Sequence, residues 1–300
     1  MIEISNLLEL LEEETSNMKS FHLAEGPGGF IEAMVTMREN PNDIYYGMTL
    51  IDQNPHVPGW KKSNDFLEQN PNVVIETGAD GTGDLLSVEN LKYCFKKYKG
   101  SMDLITGDGG FDFSIDFNKQ EQLACKLLIS QVSFALAMQK YNGNFVLKIF
   151  DIFTKPTVDL LYILSCVYSQ VYIIKPNTSR YANSEKYIVC KGFTLYDSSE
   201  IVNKLIAEYH NLTSVDHIAS VLNFQHDNYF ITKIEENNAI LGQQQIENIS
   251  STINLIGNNN RSERLDTLKK NNIQRCINWC SKYKLPYHKT IQQVNIFLSQ

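Results

Sequence analysis

Residues His22-Leu23-Ala24-Glu25-Gly26-Pro27-Gly28-Gly29-Phe30 constrain this chain more than any other stretch. An apolar run enters an acidic, glycine-rich turn, and the pattern that follows is helical. Glycines lack a Cβ, so the backbone can approach a ligand closely and take positive φ. A helix starting near Phe30 aims its free N–H groups at whatever sits in the turn. Such a turn suits a nucleotide-like cofactor, and it also suits a plain strand-to-helix connection whose glycines serve only the backbone. The other strand ends decide between the two.

Three later segments place charge where strands end. Asp103-Leu104-Ile105-Thr106-Gly107-Asp108-Gly109-Gly110-Phe111 reads as a strand delivering Asp108 to its carboxyl end. Phe145-Val146-Leu147-Lys148-Ile149-Phe150 would be a fully buried strand but for Lys148, and a buried lysine is costly unless paired. Residues 179–190 carry a polar loop that leads Glu185 into the start of an apolar strand. One such charge is an ordinary edge residue. Together, after a cofactor-type turn, they point to a shared cleft.

Strands are expected near residues 22–24, 45–50, 73–76, 102–106, 144–150, 171–175 and 187–193, with helices in the longer gaps. This alternation predicts an α/β fold with a mainly parallel sheet covered on both faces. Residues 176–186 are too few for a crossover helix, so the last two strands form an antiparallel hairpin. Ligands then belong at the carboxyl ends of the parallel strands, where the glycine turn, Asp84 and Asp108 converge.

The ordered segments Pro27-Gly28-Gly29-Phe30, Tyr46-Gly47-Met48-Thr49-Leu50, Gly81-Thr82-Gly83-Asp84, Asp108-Gly109-Gly110-Phe111, Leu147-Lys148-Ile149-Phe150-Asp151 and Ser179-Arg180-Tyr181-Ala182-Asn183-Ser184-Glu185 resemble those of a known family. It is that of the FtsJ/RrmJ-like ribose 2′-O-methyltransferases, most closely the cap-specific mRNA (nucleoside-2′-O-)methyltransferases of eukaryotes and large DNA viruses. The resemblance covers residues 22–193. It implies a Rossmann-like sheet with an antiparallel last strand, S-adenosylmethionine as cofactor, and a Lys-Asp-Lys-Glu tetrad acting on a ribose hydroxyl. By position, Asp108 resembles the tetrad aspartate, Lys148 the second lysine and Glu185 the glutamate. The first lysine lies on a helix upstream of the turn in the family, yet residues 1–18 contain none. Lys19 sits at the amino end of its strand, roughly 15 Å from the carboxyl-end site at about 3.3 Å per residue, and reads as a surface residue. Either the chain lacks part of its amino-terminal helix or the tetrad is altered.

The expected cofactor contacts are Glu25, Gly26, Pro27, Gly28, Gly29, Phe30, Asp52, Asp84 and Asp108. By resemblance, Asp84 sits beside the adenine. Asp52 follows the second strand, where a ribose-binding acid or a solvated loop acid are both consistent. Glu25 either meets the methionine amino group or caps the following helix, the first being preferred. With a net charge of −7, broad affinity for nucleic acid is disfavoured and an RNA site must be a local basic patch. Lys61, Lys62, Lys119, Lys155, Lys175, Arg180 and Lys186 could build one, with Ser179, Asn183 and Ser184 beside them.

Six cysteines without a disulfide-type spacing, no signal peptide and no long apolar span imply a reducing, intracellular site and no membrane contact. Cytoplasm, nucleus and a viral factory or virion all fit. The expected domains are a methyltransferase domain, 1–196, and a helical C-terminal extension, 197–300. Ile246, Ile249, Ile253 and Ile256 repeat at helical spacing, as do Ile273, Cys276, Ile277 and Cys280, suggesting helices that pack on the first domain or on capping or transcription proteins. Cys276 and Cys280 lack a companion His or Cys pair, so no metal is expected. The function implied is 2′-O-methylation of capped mRNA. A non-catalytic cofactor- and RNA-binding subunit of a capping apparatus, and methylation of ribosomal or transfer RNA, are the alternatives.

Overall fold

Seven runs of β-branched, aromatic and other apolar residues form one sheet: β1 (Lys19–Leu23), β2 (Ile44–Met48), β3 (Val73–Ile75), β4 (Met102–Gly107), β5 (Gln139–Ile149), β6 (Tyr168–Ile174) and β7 (Lys186–Phe193). The structure is a computed structural model that describes residues 1–11, 16–52, 54, 57, 59–110, 119–214, 217–257 and 261–287. The strand order is β3-β2-β1-β4-β5-β7-β6. Strands β1 to β5 pair in parallel, and β7 lies antiparallel between β5 and β6. All seven strands and the closing hairpin fall where the alternation puts them. Strand β5 starts earlier than expected, at Gln139, because its first half is polar and irregular. Asn142 there has φ 63°, and the register against β4 shifts between Met102 and Leu104.

Period-two alternation assigns successive strand residues to opposite faces. Phe145, Leu147 and Ile149 of β5 join one core cluster while Val146 joins the other. The first cluster lies under α4 (Val88–Tyr98), α5 (Gln120–Met138), α6 (Lys155–Val167) and α7 (Ser199–Ser214). The second gathers Ile4 of α1 (Ile2–Leu8), Ile31 and Met34 of α2 (Gly29–Arg38), and Phe66 and Leu67 of α3 (Asn64–Gln69). Every residue of α5 from Leu127 to Met138 is buried, as a helix apolar on all sides requires.

The chain divides into two units, Met1–Ile246 and Glu247–Gln300. Residue 196 therefore marks the end of the strand region and not of the packed unit, since Val202, Tyr209, Ile218 and Ile234 all enter the first core cluster. Asp159 on α6 fastens this added segment. Fully buried, it accepts from the main-chain N–H of Val221 (2.8 Å) and Leu222 (2.9 Å), from Lys155 Nζ (2.8 Å) and from His226 Nε2 (2.6 Å). Burial alone would raise its pKa, but these donors together hold it below the ordinary carboxylate value. Helix α8 (Asn228–Ile256) crosses the division, and α9 (Arg261–Lys282) follows. Residues 258–260 lie outside the described residues. The isoleucine face of α8 stays exposed: Ile246 at 61%, Ile253 at 62% and Ile256 at 66%.

Replacing Asp159 by Ala strips the partners from a buried carboxylate network. Such losses cost about 3–5 kcal/mol. Chemical denaturation should show a stability drop of that order, with faster hydrogen exchange in 217–226; an unchanged midpoint would refute this assignment.

Candidate active site

The order of strands reverses at β1, which has β2 on one side and β4 on the other, and a crevice opens where their carboxyl ends diverge. Main-chain bonds hold these ends level: Ala24 N donates to Met48 O (2.7 Å) and Asp108 N to Leu23 O (3.1 Å). The glycine turn follows β1. Gly28 has φ 103°, the left-handed region that favours glycine, and precedes α2 as its N-cap. A Cβ on Gly28 would lie 3.0 Å from the Trp60 ring, and one on Gly47 only 2.6 Å from it. A Cβ on Gly29 would meet nothing within 4 Å. The turn is thus packed on the indole side and open where Gly29 points.

Glu25 does not open onto the crevice, contrary to the preferred expectation. It is 3% exposed. Its Oε1 accepts from the N–H groups of Phe30 and of Ile31 (3.0 Å), capping α2, while Oε2 accepts from Thr106 Oγ1 (3.2 Å). His22 Nδ1 lies 3.0 Å from the same Oε2 and 2.7 Å from Thr106 Oγ1, and its Nε2 meets Ser20 Oγ at 2.8 Å. A helix start offers unpaired donors and a favourable dipole, so the carboxylate is held there by the turn it shapes. The sequence reading gave His22 no role. Its polar character in an otherwise apolar strand was the available signal.

The loop after β3 rests on the end of β2. A Cβ on Gly83 would come 2.1 Å from Thr49 O, and Ile51 N donates to Thr82 O (2.7 Å). Buried Asn90 organises the loop, accepting from Ala79 N (2.8 Å) and donating to Asp84 O (3.0 Å). Asp84 is half-buried and its Oδ1 accepts from Leu86 N (2.8 Å). Asp52 is exposed, with Oδ1 accepting from Asn54 N (2.8 Å) in a local turn.

Register brings the tetrad candidates together. Gly107 pairs with Leu147, so Asp108 and Lys148 are neighbours across adjacent strand ends. Lys148 pairs with Tyr187, which sets Glu185 two residues away at the same end. Lys148 Nζ lies 3.1 Å from Asp108 Oδ1 and donates to Asp108 O at 2.7 Å. A Cβ on Gly110 would sit 3.5 Å from that Nζ, so the amine lies against bare main chain. Burial raises the Asp108 pKa; Lys148 opposes the shift, while Glu25 and Glu185 add to it. Glu185 Oε1 accepts from Ser179 Oγ (3.0 Å) and Tyr187 OH (3.4 Å).

Lys19 is exposed at the amino end of β1, its N–H donating to Asp103 Oδ2 (2.9 Å), as expected for a surface residue. Helix α1 precedes β1, with Glu3 and Ile4 buried.

The expected basic patch is not assembled from all its members. Lys155 is bound to Asp159 and to Leu222 O (2.7 Å), and Lys186 is buried with Nζ on Phe150 O (2.6 Å). Lys175 staples the loop that carries Glu185, reaching Asn183 Oδ1 (2.7 Å), Asn183 O (2.9 Å) and Ser179 Oγ (3.3 Å). Burial first, with Lys186 and Arg180 adding and Glu185 opposing, pushes its pKa down to about 8. Ser184 is turned inward, its Oγ 3.1 Å from Gln120 Oε1. Lys61, Lys62, Lys119 and Arg180 are exposed, and Asn183 is half-buried. A loop rich in donors must satisfy its own carbonyls before it can serve a ligand, which turns these lysines inward. Phe111 lies outside the described residues.

The model of the FtsJ-like methyltransferase family matches residues 1–193. Cap-specific mRNA (nucleoside-2′-O-)-methyltransferase 1 of Mus musculus is 36% identical over 194 residues, which make up 61% of this chain and 22% of that protein. The corresponding methyltransferase 2 of Drosophila melanogaster is 31% identical over 188 residues, 59% of this chain and 27% of that one. Methyltransferase 1A of Caenorhabditis briggsae is 32% identical over 236 residues, covering 73% and 26%. The chain spans about a quarter of the length of these relatives.

Since burial sets the folded-state pKa of Asp108 above that of the unfolded chain, its protonated form adds stability that is complete below the unfolded value. That contribution is lost as pH rises through the folded value. Asn keeps the shape of the neutral carboxyl and does not titrate. The stability of the wild type relative to Asp108→Asn should therefore fall as pH rises above about 4. Urea denaturation of both across that range checks it; a relative stability that climbs with pH would reverse the sign.

Proposed function

Since the chain belongs to the FtsJ-like methyltransferase family, we propose that it transfers a methyl group from S-adenosylmethionine to a ribose 2′-hydroxyl of RNA, the RNA being the 5′ end of capped mRNA. The observation that carries this reading is the pairing of Lys148 with Asp108, beside Glu185, at the carboxyl ends of the central strands. The glycine turn fits the cofactor, being supported on one side by Trp60 and open at Gly29, with Asp84 on the neighbouring loop. When bound, S-adenosylmethionine supplies an electrophilic methyl group.

A ribose hydroxyl is a weak nucleophile, so the chain must fix its position and accept its proton. Positioning of reactants is worth up to roughly 7–11 kcal/mol. Asp108 fixes the position of Lys148 Nζ through its main-chain carbonyl, which accepts a hydrogen bond, and through the ion pair with its carboxylate. A lysine accepts a proton only when neutral, and a nearby like charge favours that state.

The accessory-subunit reading draws on one observation, the lack of lysine in residues 1–18. Two measurements separate it from the enzyme. Calorimetry should show binding of S-adenosylmethionine and S-adenosylhomocysteine, as either reading requires, and a folded sample giving no heat at millimolar ligand would sink both. Methyl transfer to capped RNA distinguishes them. Lys148→Ala should lower that rate by about 10²–10⁴ while leaving cofactor affinity nearly unchanged. Retention of most of the rate in Lys148→Ala would make that lysine structural.

A further inference from the structure

Charge is divided unevenly along the chain. Residues 247–300 hold eight Lys and Arg against three Asp and Glu, a balance of +5, whereas residues 1–246 hold 19 against 31, a balance of −12. The excess is concentrated on α9, and it is ordered there. Arg264 precedes Arg275 by 11 residues and Lys282 by 18. At about 3.6 residues per turn these are close to three and five whole turns, so the three cations lie in one line, about 27 Å from end to end at roughly 1.5 Å per residue. All three are exposed. The two acids of the helix, Glu263 and Asp266, stand about 100° or more away around its axis.

Aromatic rings flank that line. Trp279 follows Arg275 by one turn, and Tyr283, whose N–H still bonds to Trp279 O at 3.1 Å, follows by another. Their ring centroids are 4.8 Å apart, and Lys282 Nζ sits 5.1 Å from the Tyr283 centroid. Ile273, Ile277 and Cys280 belong to the opposite side. A straight row of cations beside stacking rings has the chemistry of a single-stranded nucleic acid site, in which phosphates meet the charges and bases meet π-faces without sequence readout. Lys269 and Lys270 lie on the other side of the helix, outside this row.

We propose that α9 is a single-stranded RNA-binding arm, with Arg264, Arg275 and Lys282 on phosphates and Trp279 and Tyr283 on bases. It supplies an attraction for RNA that the acidic first unit lacks. This role rests on the proposed function for the identity of the RNA, but the arm's affinity is measurable without catalysis.

The test uses the full chain and a labelled, uncapped 20-nucleotide single-stranded RNA, followed by fluorescence anisotropy over a series of salt concentrations. Replacing Arg264, Arg275 and Lys282 together by Gln keeps the helix, because glutamine is a good helix former, and circular dichroism verifies it. The triple variant should bind at least about tenfold more weakly, and its slope of log K against log salt should shrink by about 2, since each lost phosphate contact removes about 0.7. Trp279→Ala should weaken binding about tenfold with little change in slope. Methyl transfer to a capped dinucleotide, too short to lie along α9, should be the same in the triple variant and the parent. Equal RNA affinity and equal salt slope in the triple variant would overturn the arm. Absence of methyl transfer by the parent chain on all substrates, with RNA binding present in the parent and weakened in the triple variant, would instead count against the proposed function alone.

Discussion

Three carboxylates at the carboxyl ends of the central strands set the terms for the rest of this molecule. Parallel pairing of β1, β4 and β5 places Glu25, Asp108 and the amine of Lys148 at one level, and the antiparallel return of β7 brings in Glu185. Like charges in a poorly solvated cleft raise one another's proton affinity, and each must be offset or neutralised. Glu25 is offset by the start of α2 and by Thr106, Asp108 by Lys148, and Glu185 by the hydroxyls of Ser179 and Tyr187. An amine held among them is the natural outcome, and the same amine suits a reaction that must lift a proton from a sugar hydroxyl.

The loops around the cleft are made firm by lysines whose ammonium groups bond to the protein itself. Lys175 closes the loop before Glu185, Lys186 ties β7 to Phe150 O, and Lys155 joins α6 to the segment beyond α7. A lysine has three donors on a flexible stem, so it can gather carbonyls that no regular element satisfies. Positive charge in this part of the chain is therefore spent on architecture, and an anionic substrate finds less of it than a count of residues suggests.

The strands were legible because period-two patterning and turn residues both mark them. The beginning of β5 was not, since Gln139 to Asn144 is polar and irregular and pairs only because α5 delivers it beside β4. Asp108, Lys148 and Glu185 stood out as charges at strand ends. Glu25 left two readings open because a carboxylate four residues before a helix fits a cap and a ligand equally well on paper, and the structure shows the cap. The roles of Lys155 and Lys186 depend on Leu222 and Phe150, partners far away in sequence. Patterns of local spacing carry no record of such meetings.

Trp60 touches the glycine turn and β2 at once, filling the space that side chains on Gly28 and Gly47 would take. These three positions behave as one unit of shape: the bulk of the indole is admissible only while both partners stay bare, and both partners can stay bare only while the indole covers them. Among descendants of this sequence, drift at any one of them should be tied to drift at the others. A chain bearing a small residue at the tryptophan would be free to grow a side chain on β2, and would need a different wall behind the turn.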